Sequence, residues 1–200
     1  MQATASEQRN SLRKHIRSQR RALTAQAQTD ASAALLLRFQ QSDAVKSATH
    51  IALYLAVDGE LDTAPLIEYC WAQGKSVYLP VIHPFSKGHL LFLRYHPQST
   101  LVANRYGILE PKLDVRDVLP AEKLDLICTP LVAFDQSGQR LGMGGGYYDR
   151  TLAPWYETRQ GARPLGVAHD CQQVDALPIE VWDVPLPEIL TPSMHWQWSI

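Results

Sequence analysis

The residues that point most directly to chemistry are Arg140-Leu141-Gly142-Met143-Gly144-Gly145-Gly146-Tyr147-Tyr148-Asp149-Arg150. Four of the five residues 142–146 are glycine, and a glycine run is costly inside a helix or strand because each one loses backbone entropy. What such a run offers is backbone that takes positive φ and approaches a ligand closely. Upstream, the apolar residues 124–134 read as a buried strand. Downstream, residues 147–156 read as a helix with Tyr148, Leu152 and Trp155 on one side. A strand, a glycine loop and a helix start make an anion site, since the first N–H groups of a helix have no internal partner. Arg140 and Arg150 flank the loop with fixed charge, and Asp149 in the first turn is placed to hold a divalent cation against bound phosphates. The spacing is neither a Walker loop nor GxGxxG, and a glycine-rich turn that only caps a helix is the alternative reading.

A second concentration of charge lies near the start of the chain. Arg9, Arg13, Lys14, Arg17, Arg20 and Arg21 all precede the next acidic residue, Asp30. From Ala22 onward the chain carries 13 basic against 19 acidic groups, a net of −6, while the whole chain is at −1. Bulk electrostatics therefore do not suit a nucleic-acid binder, and the positive charge is local. Residues 6–24 read as a helix with Ser6 as N-cap and Leu12, Ile16 and Leu23 on its apolar side. Arg9, Arg13 and Arg17 recur every fourth position and share a face, where like charges repel by about a few tenths of a kcal/mol per pair. An anion or an acidic partner offsets that cost. A solvated charged face, an organelle transit segment and nonspecific nucleic-acid binding are the other readings, the last weakened by the lack of interleaved aromatics.

The frame that must position these groups reads as alternating helix and strand. Residues 26–41 form a second helix, with Leu35, Leu36 and Phe39 for packing. Residues 50–57 are apolar on both faces, as in a helix-covered parallel sheet. That strand stops at Asp58-Gly59-Glu60-Leu61-Asp62-Thr63. Thr63 or Asp62 then caps a helix with Pro65 in its first turn, Gly74 closes it, and residues 75–82 return as a strand. The acidic loop thus lies at the carboxyl end of a strand, where open α/β sheets bind ligands, although Asp58 and Glu60 also suit ordinary turn and helix-dipole duties. Residues 90–95 are a further strand, residues 124–134 the central one with a bulge or end near Pro130, and residues 164–168 the last. His169 and Asp170 sit at the end of that strand, and Asp183 reads as a turn residue before Pro185 in a proline-rich tail. The expected fold is α/β: a single three-layer α/β/α domain over residues 1–200 with a mostly parallel central sheet and a basic N-terminal helix.

Two hundred residues at 46% hydrophobic content suffice for one full core. Cys70, Cys128 and Cys171 form no CxxC pair and read as free thiols in a reducing compartment. No apolar run nears the ~20 residues of a membrane span, and the N-terminus lacks an apolar signal core, so a cytoplasmic protein is expected. No His/Cys constellation suggests zinc, and no Gly-x-Ser-x-Gly elbow suggests a hydrolase.

Taken in order, the basic helix, the loop at residues 58–63, the segment at residues 104–111, the glycine stretch and Trp182-Asp183-Val184-Pro185 resemble the 5-formyltetrahydrofolate cyclo-ligase family, the 5,10-methenyltetrahydrofolate synthetases. The resemblance spans nearly the whole chain. It implies a Mg²⁺-dependent enzyme that uses ATP to convert 5-formyltetrahydrofolate to 5,10-methenyltetrahydrofolate. ATP would be bound by Arg9, Arg13, Arg140, Leu141, Gly142, Met143, Gly144, Gly145, Gly146, Tyr147 and Tyr148. The folate would be bound by Leu55, Glu60, Met143, Gly144, Gly145, Gly146 and Tyr147, and Mg²⁺ by Asp149 and Asp183. No side chain serves as nucleophile, with Arg140 and Tyr147 lying in the reaction cleft, and Tyr106 and Glu110 shape its wall. The partners are small molecules, not nucleic acid or membrane, and the chain is expected to act as a monomer. Many family members carry Arg or Lys within the glycine loop, where this chain has Met143 and Gly145, so backbone N–H groups and Arg140 gain importance. A sugar-phosphate isomerase or CoA-transferase-like enzyme on a related sheet is the second reading. A nucleic-acid-binding regulator is the third.

Overall fold

The computed structural model describes residues 4–199, so residues 1–3 and 200 of the expected domain lie outside the described residues. The first half of the chain runs α1 (Ala5–Arg21), α2 (Ala25–Gln41), α3 (Asp43–Ser47), β1 (His50–Ala52), α4 (Ala64–Ala72), β2 (Ser76–Ile82), β3 (Leu90–Tyr95) and β4 (Leu101–Ala103). It continues with β5 (Leu109–Pro111), β6 (Val118–Leu119), β7 (Leu126–Pro130), β8 (Ala133–Asp135), β9 (Arg140–Leu141) and α5 (Tyr147–Thr158). The remaining strands are β10 (Arg163–Val167), β11 (Gln173–Val174), β12 (Glu188–Leu190) and β13 (His195–Gln197).

The middle of the main sheet is parallel, in the order β12-β10-β7-β1-β2, and antiparallel strands finish it: β13 at one edge, β3 and β6 at the other. Successive residues of the inner strands are apolar because both faces are covered. Ile51, Val77, Leu126 and Leu165 meet Leu35, Phe39, Val45, Leu66 and Cys70 from α2, α3 and α4. Ala52, Tyr78, Ile127 and Ile189 meet Leu152 of α5 on the opposite face. Each large apolar side chain buried this way contributes about 2 kcal/mol through area removed from water. The expected three-layer α/β/α arrangement with a mostly parallel sheet is therefore the observed one.

Helix α1 belongs to neither covering layer. Its Ile16 packs with Val132, Ala133 and Leu141, next to Leu12. Those partners lie on or beside a small sheet, β11-β8-β9, whose last strand runs straight into the glycine loop. The apolar side of α1 thus fixes its basic side next to the loop.

Several expected boundaries move, each for a local reason. Thr4, not Ser6, caps α1: its hydroxyl accepts from the Glu7 N–H at 3.3 Å, and the Glu7 carboxylate accepts from the Thr4 N–H at 2.8 Å. The strand expected over residues 50–57 keeps its ladder only through β1, with one further bond from Leu53 N–H to the Tyr78 carbonyl at 2.9 Å. Beyond it the Thr63 hydroxyl takes the Tyr54 carbonyl, and the chain turns through Asp58 and Gly59 at positive φ. Residues 124–134 are two strands, because Pro130 has no N–H to continue the ladder, and β8 joins the small sheet. Residues 164–168 are not the last core strand, since β12 and β13 extend the sheet from within the proline-rich tail.

Candidate active site

The glycine loop turns from β9 into α5 with Gly144 at φ +96° and Gly146 at φ +66°, values an L side chain rarely adopts. Gly146 is the N-cap of α5, so no side-chain oxygen caps the first-turn N–H donors. Arg13 reaches across from α1: its Nε donates to the Gly142 carbonyl at 2.8 Å, and a Cβ built on Gly144 would lie 3.5 Å from its Cζ. The Arg13 guanidinium therefore lies against the loop. Burial, and then the charge of Arg9, lower its pKa, so a nearby anion would be stabilising.

Arg9, one turn earlier, grips Asp183 through Nη1 and Nη2 at 2.5 and 2.9 Å, and its Nη1 also donates to the Pro178 carbonyl at 2.8 Å. The bond to Asp183 raises the Arg9 pKa against the opposing effect of burial. Arg140 is buried and donates from Nη2 to Asp149 Oδ1 at 2.6 Å, an oxygen that also accepts from the Val184 N–H at 3.4 Å. Burial pulls the Arg140 pKa down and the Asp149 charge opposes it. Asp149 and Asp183, 34 residues apart in sequence, line one cleft of about 570 Å³ with Gly144, Gly145, Gly146 and Trp182. No group of three or more His, Cys, Asp and Glu side chains able to cage a metal occurs among the described residues. Both carboxylates are engaged by arginines, Asp183 by Arg9 and Asp149 by Arg140, so a Mg²⁺ arriving with its own anionic ligand would share them with those side chains or displace them.

The acidic loop meets α1 further along. Arg17 Nε and Arg20 Nη2 donate to Asp58 Oδ2 at 2.6 and 3.0 Å, Arg21 bonds the other oxygen, and Arg20 Nε takes the Asp58 carbonyl at 2.8 Å. The repulsion along the arginine face is thus offset inside the chain by Asp58 and Asp183. Glu60 accepts from the Val57 N–H at 3.1 Å and lies 3.8 Å from Arg20. Burial raises its carboxyl, with Arg20 opposing. Burial also raises the Tyr148 hydroxyl, and the charge of Glu60 adds to that, so the start of α5 and the acidic loop share one electrostatic neighbourhood. Leu55 is partly buried and packs against the core cluster that contains Leu53, Tyr54 and Leu61.

Tyr147 lies across the loop itself, since a Cβ on Gly145 would come within 2.8 Å of its ring. Arg150, expected as a flanking charge, instead turns back to donate to the Gly145 carbonyl at 2.5 Å and the Gly88 carbonyl at 2.8 Å. Met143 is exposed, and Leu141 is buried among Ile16, Val132 and Ala133. The fold therefore gathers Arg9, Arg13, residues 140–149 and Asp183 in one place, while Glu60 lies with Arg20 farther along α1. Sequence reading missed the three arginines on Asp58 and the contact of Arg105 and Tyr106 with Tyr147. Neither had a signal in the spacing, since the arginines lie 37 to 41 residues from Asp58 and the hairpin 41 to 42 residues from Tyr147.

A parallel α/β sheet, a glycine loop at the start of a helix and two carboxylates beside it are features that suit an enzyme of charged small molecules. The chain belongs to the 5-formyltetrahydrofolate cyclo-ligase family, whose model matches residues 5–192. It is 58% identical over 183 residues to the 5-formyltetrahydrofolate cyclo-ligase of Escherichia coli K12, covering 92% of this chain and 100% of that one. It is 50% identical over 184 residues to the enzyme of the same name from Haemophilus influenzae, covering 92% and 97%. Among solved structures, Aquifex aeolicus 5,10-methenyltetrahydrofolate synthetase is similar with a TM-score of 0.80 at 29% identity, covering 94% of this chain and 92% of that one. The isomerase or transferase reading gives way to this family.

Proposed function

We propose that the chain converts 5-formyltetrahydrofolate to 5,10-methenyltetrahydrofolate, coupled to conversion of ATP to ADP and phosphate. The formyl oxygen is a poor leaving group, so it first takes the γ-phosphoryl group. N10 of the folate then attacks the activated carbon, and phosphate departs. No protein nucleophile is required, and catalysis comes from alignment and charge neutralisation. Arg9 and Arg13 bring guanidinium charge to the triphosphate from α1, and the N–H groups of residues 142–148 receive its oxygens. Arg140 acts from behind, holding Asp149 in place. Asp149 and Asp183 would hold Mg²⁺, which supplies charge neutralisation on the phosphates. Glu60 accepts hydrogen bonds from the donor-rich edge of the pterin, with Leu55 beneath it and Met143, Gly144, Gly145, Gly146 and Tyr147 between the two substrates. In this reading the chain works as a single domain and a monomer in the cytoplasm, on small molecules alone.

The observation that carries this reading is the bond from Arg13 to the Gly142 carbonyl, which joins the basic helix to the glycine loop across 129 residues of sequence. The test is to incubate the purified protein with 5-formyltetrahydrofolate and MgATP and follow the absorbance of the methenyl product. Product should form only with ATP present and should stop when Mg²⁺ is chelated. Absence of product from folded protein, or product without ATP, overturns the proposal.

A further inference from the structure

At the tip of the hairpin formed by β4 and β5, Asn104-Arg105-Tyr106-Gly107, only Tyr106 has been given a role, as part of the cleft wall. Its shape is set by Asn104, whose side-chain oxygen accepts from the Tyr106 and Ile108 N–H groups at 2.9 and 3.2 Å, and by Gly107 at φ +74°. The Asn104 amide donates to Glu110 at 3.0 Å, and Glu110 also accepts from the Ile82 N–H at 3.2 Å, which ties the hairpin to the main sheet. The turn is therefore preformed and presents Arg105 and Tyr106 outward.

Both side chains converge on one atom. Arg105 Nη2 donates to the Tyr147 hydroxyl at 2.5 Å, and the Tyr106 hydroxyl lies 3.2 Å from that same oxygen. The Arg105 guanidinium also stands 5.0 Å from the centre of the Tyr106 ring. An exposed cation bonded to a phenol adds little stability, so stability does not account for the arrangement. Its geometric consequence is clearer: the Tyr147 ring is pinned on Gly145, whose carbonyl is held from below by Arg150. Because the phenol oxygen accepts from Arg105, its own proton is left to donate, either to Tyr106 or to an acceptor on a ligand.

We propose that Arg105 is a positioning residue for the folate side of the reaction, acting through Tyr147, so that the hairpin tip is a specificity-determining strap across the glycine loop. This rests on the reading that Tyr147 and Gly145 contact the folate. A guanidinium bond to the phenol fixes ring and hydroxyl together, whereas a free ring would swing off Gly145.

The test measures kcat and both KM values for Arg105→Met, Arg105→Lys, Tyr147→Phe and the double variant Arg105→Met with Tyr147→Phe. Arg105→Met should raise the KM for 5-formyltetrahydrofolate about five- to tenfold, the scale of one ordinary hydrogen bond lost at an exposed site, and leave the KM for ATP within about twofold. Arg105→Lys, which keeps a donor without the fork, should recover part of that loss. The double variant should be no worse than Tyr147→Phe alone, since one interaction cannot be lost twice. Losses that multiply show that Arg105 acts independently of Tyr147 and overturn the proposal. An equal rise in both KM values, or wild-type kinetics in the variants, overturns it as well. A wild-type chain that makes no methenyl product removes the underlying reading and this one together, whereas silent variants of an active chain remove this one alone.

Discussion

Replacing Asp58 by Asn removes a charge and leaves the backbone as it was. Asp58 sits at φ +56°, in the left-handed region that Asn tolerates better than most residues with a side chain. What is lost is the carboxylate that Arg17, Arg20 and Arg21 share. Burial acts to raise that carboxyl, but the bonds from Arg17, Arg21 and Arg20 outweigh it and hold its pKa at about 2, against an ordinary 3.8. A drop of nearly two pH units is about 2.5 kcal/mol of stabilisation at 1.36 kcal/mol per unit. The Arg21 side chain is 54% exposed and that of Arg17 31%, so solvent screening reduces this to about 1–2 kcal/mol. In a chain of this size that is about 3–6 °C in Tm. The folded pKa lies below the unfolded one, so the stabilisation is complete above about pH 4 and is lost as the pH falls toward 2. Urea unfolding of both proteins at about pH 7, 5 and 3 should give an equal gap at the first two and a smaller one at the third. A gap of constant size across all three, or none at neutral pH, refutes the assignment of Asp58 as the anchor of α1.

Arg13→Ala should raise the KM for ATP at least about tenfold, because it removes a guanidinium from the glycine loop, and steady-state kinetics with ATP varied will show it. Glu60→Gln should raise the KM for 5-formyltetrahydrofolate about tenfold while the KM for ATP stays put, a split readable from the same assay. Asp149→Asn and Asp183→Asn should each shift the Mg²⁺ titration of activity to higher concentration, and an unchanged Mg²⁺ requirement removes that residue from the metal site. Gly166→Ala places a Cβ 2.6 Å from Ile189 Cγ1 and 2.8 Å from Leu186 Cδ1, so overpacking should cost about 1–3 kcal/mol, seen as a lower Tm.

The parts of this molecule that were legible in sequence are those where one residue type repeats with a meaning of its own. Glycines at residues 142–146 announced positive φ and an open helix start, and arginines at every fourth position announced one helical face. The apolar strands of residues 50–57 and 124–134 announced a covered sheet. What stayed hidden depends on partners far away in the chain. Nothing near Arg140 says that Asp149 will neutralise it, or that Arg9 will be claimed by Asp183, because ion pairs are made by the fold and not by spacing. The small sheet of β8, β9 and β11 escaped because two- and three-residue strands carry no periodicity. Strands β12 and β13 escaped because the prolines around them read as a loop.

The grip of Arg9 on Asp183 joins two side chains 174 residues apart in sequence. A ribosome adding about 5–20 residues per second needs roughly 10–35 seconds to make the second partner after the first. For all that interval the leading helix waits without its distal tether, and β12 has not yet joined the sheet. The cleft lined by Asp149 and Asp183 can therefore form only after residue 183 has been made, long after α1 has left the ribosome.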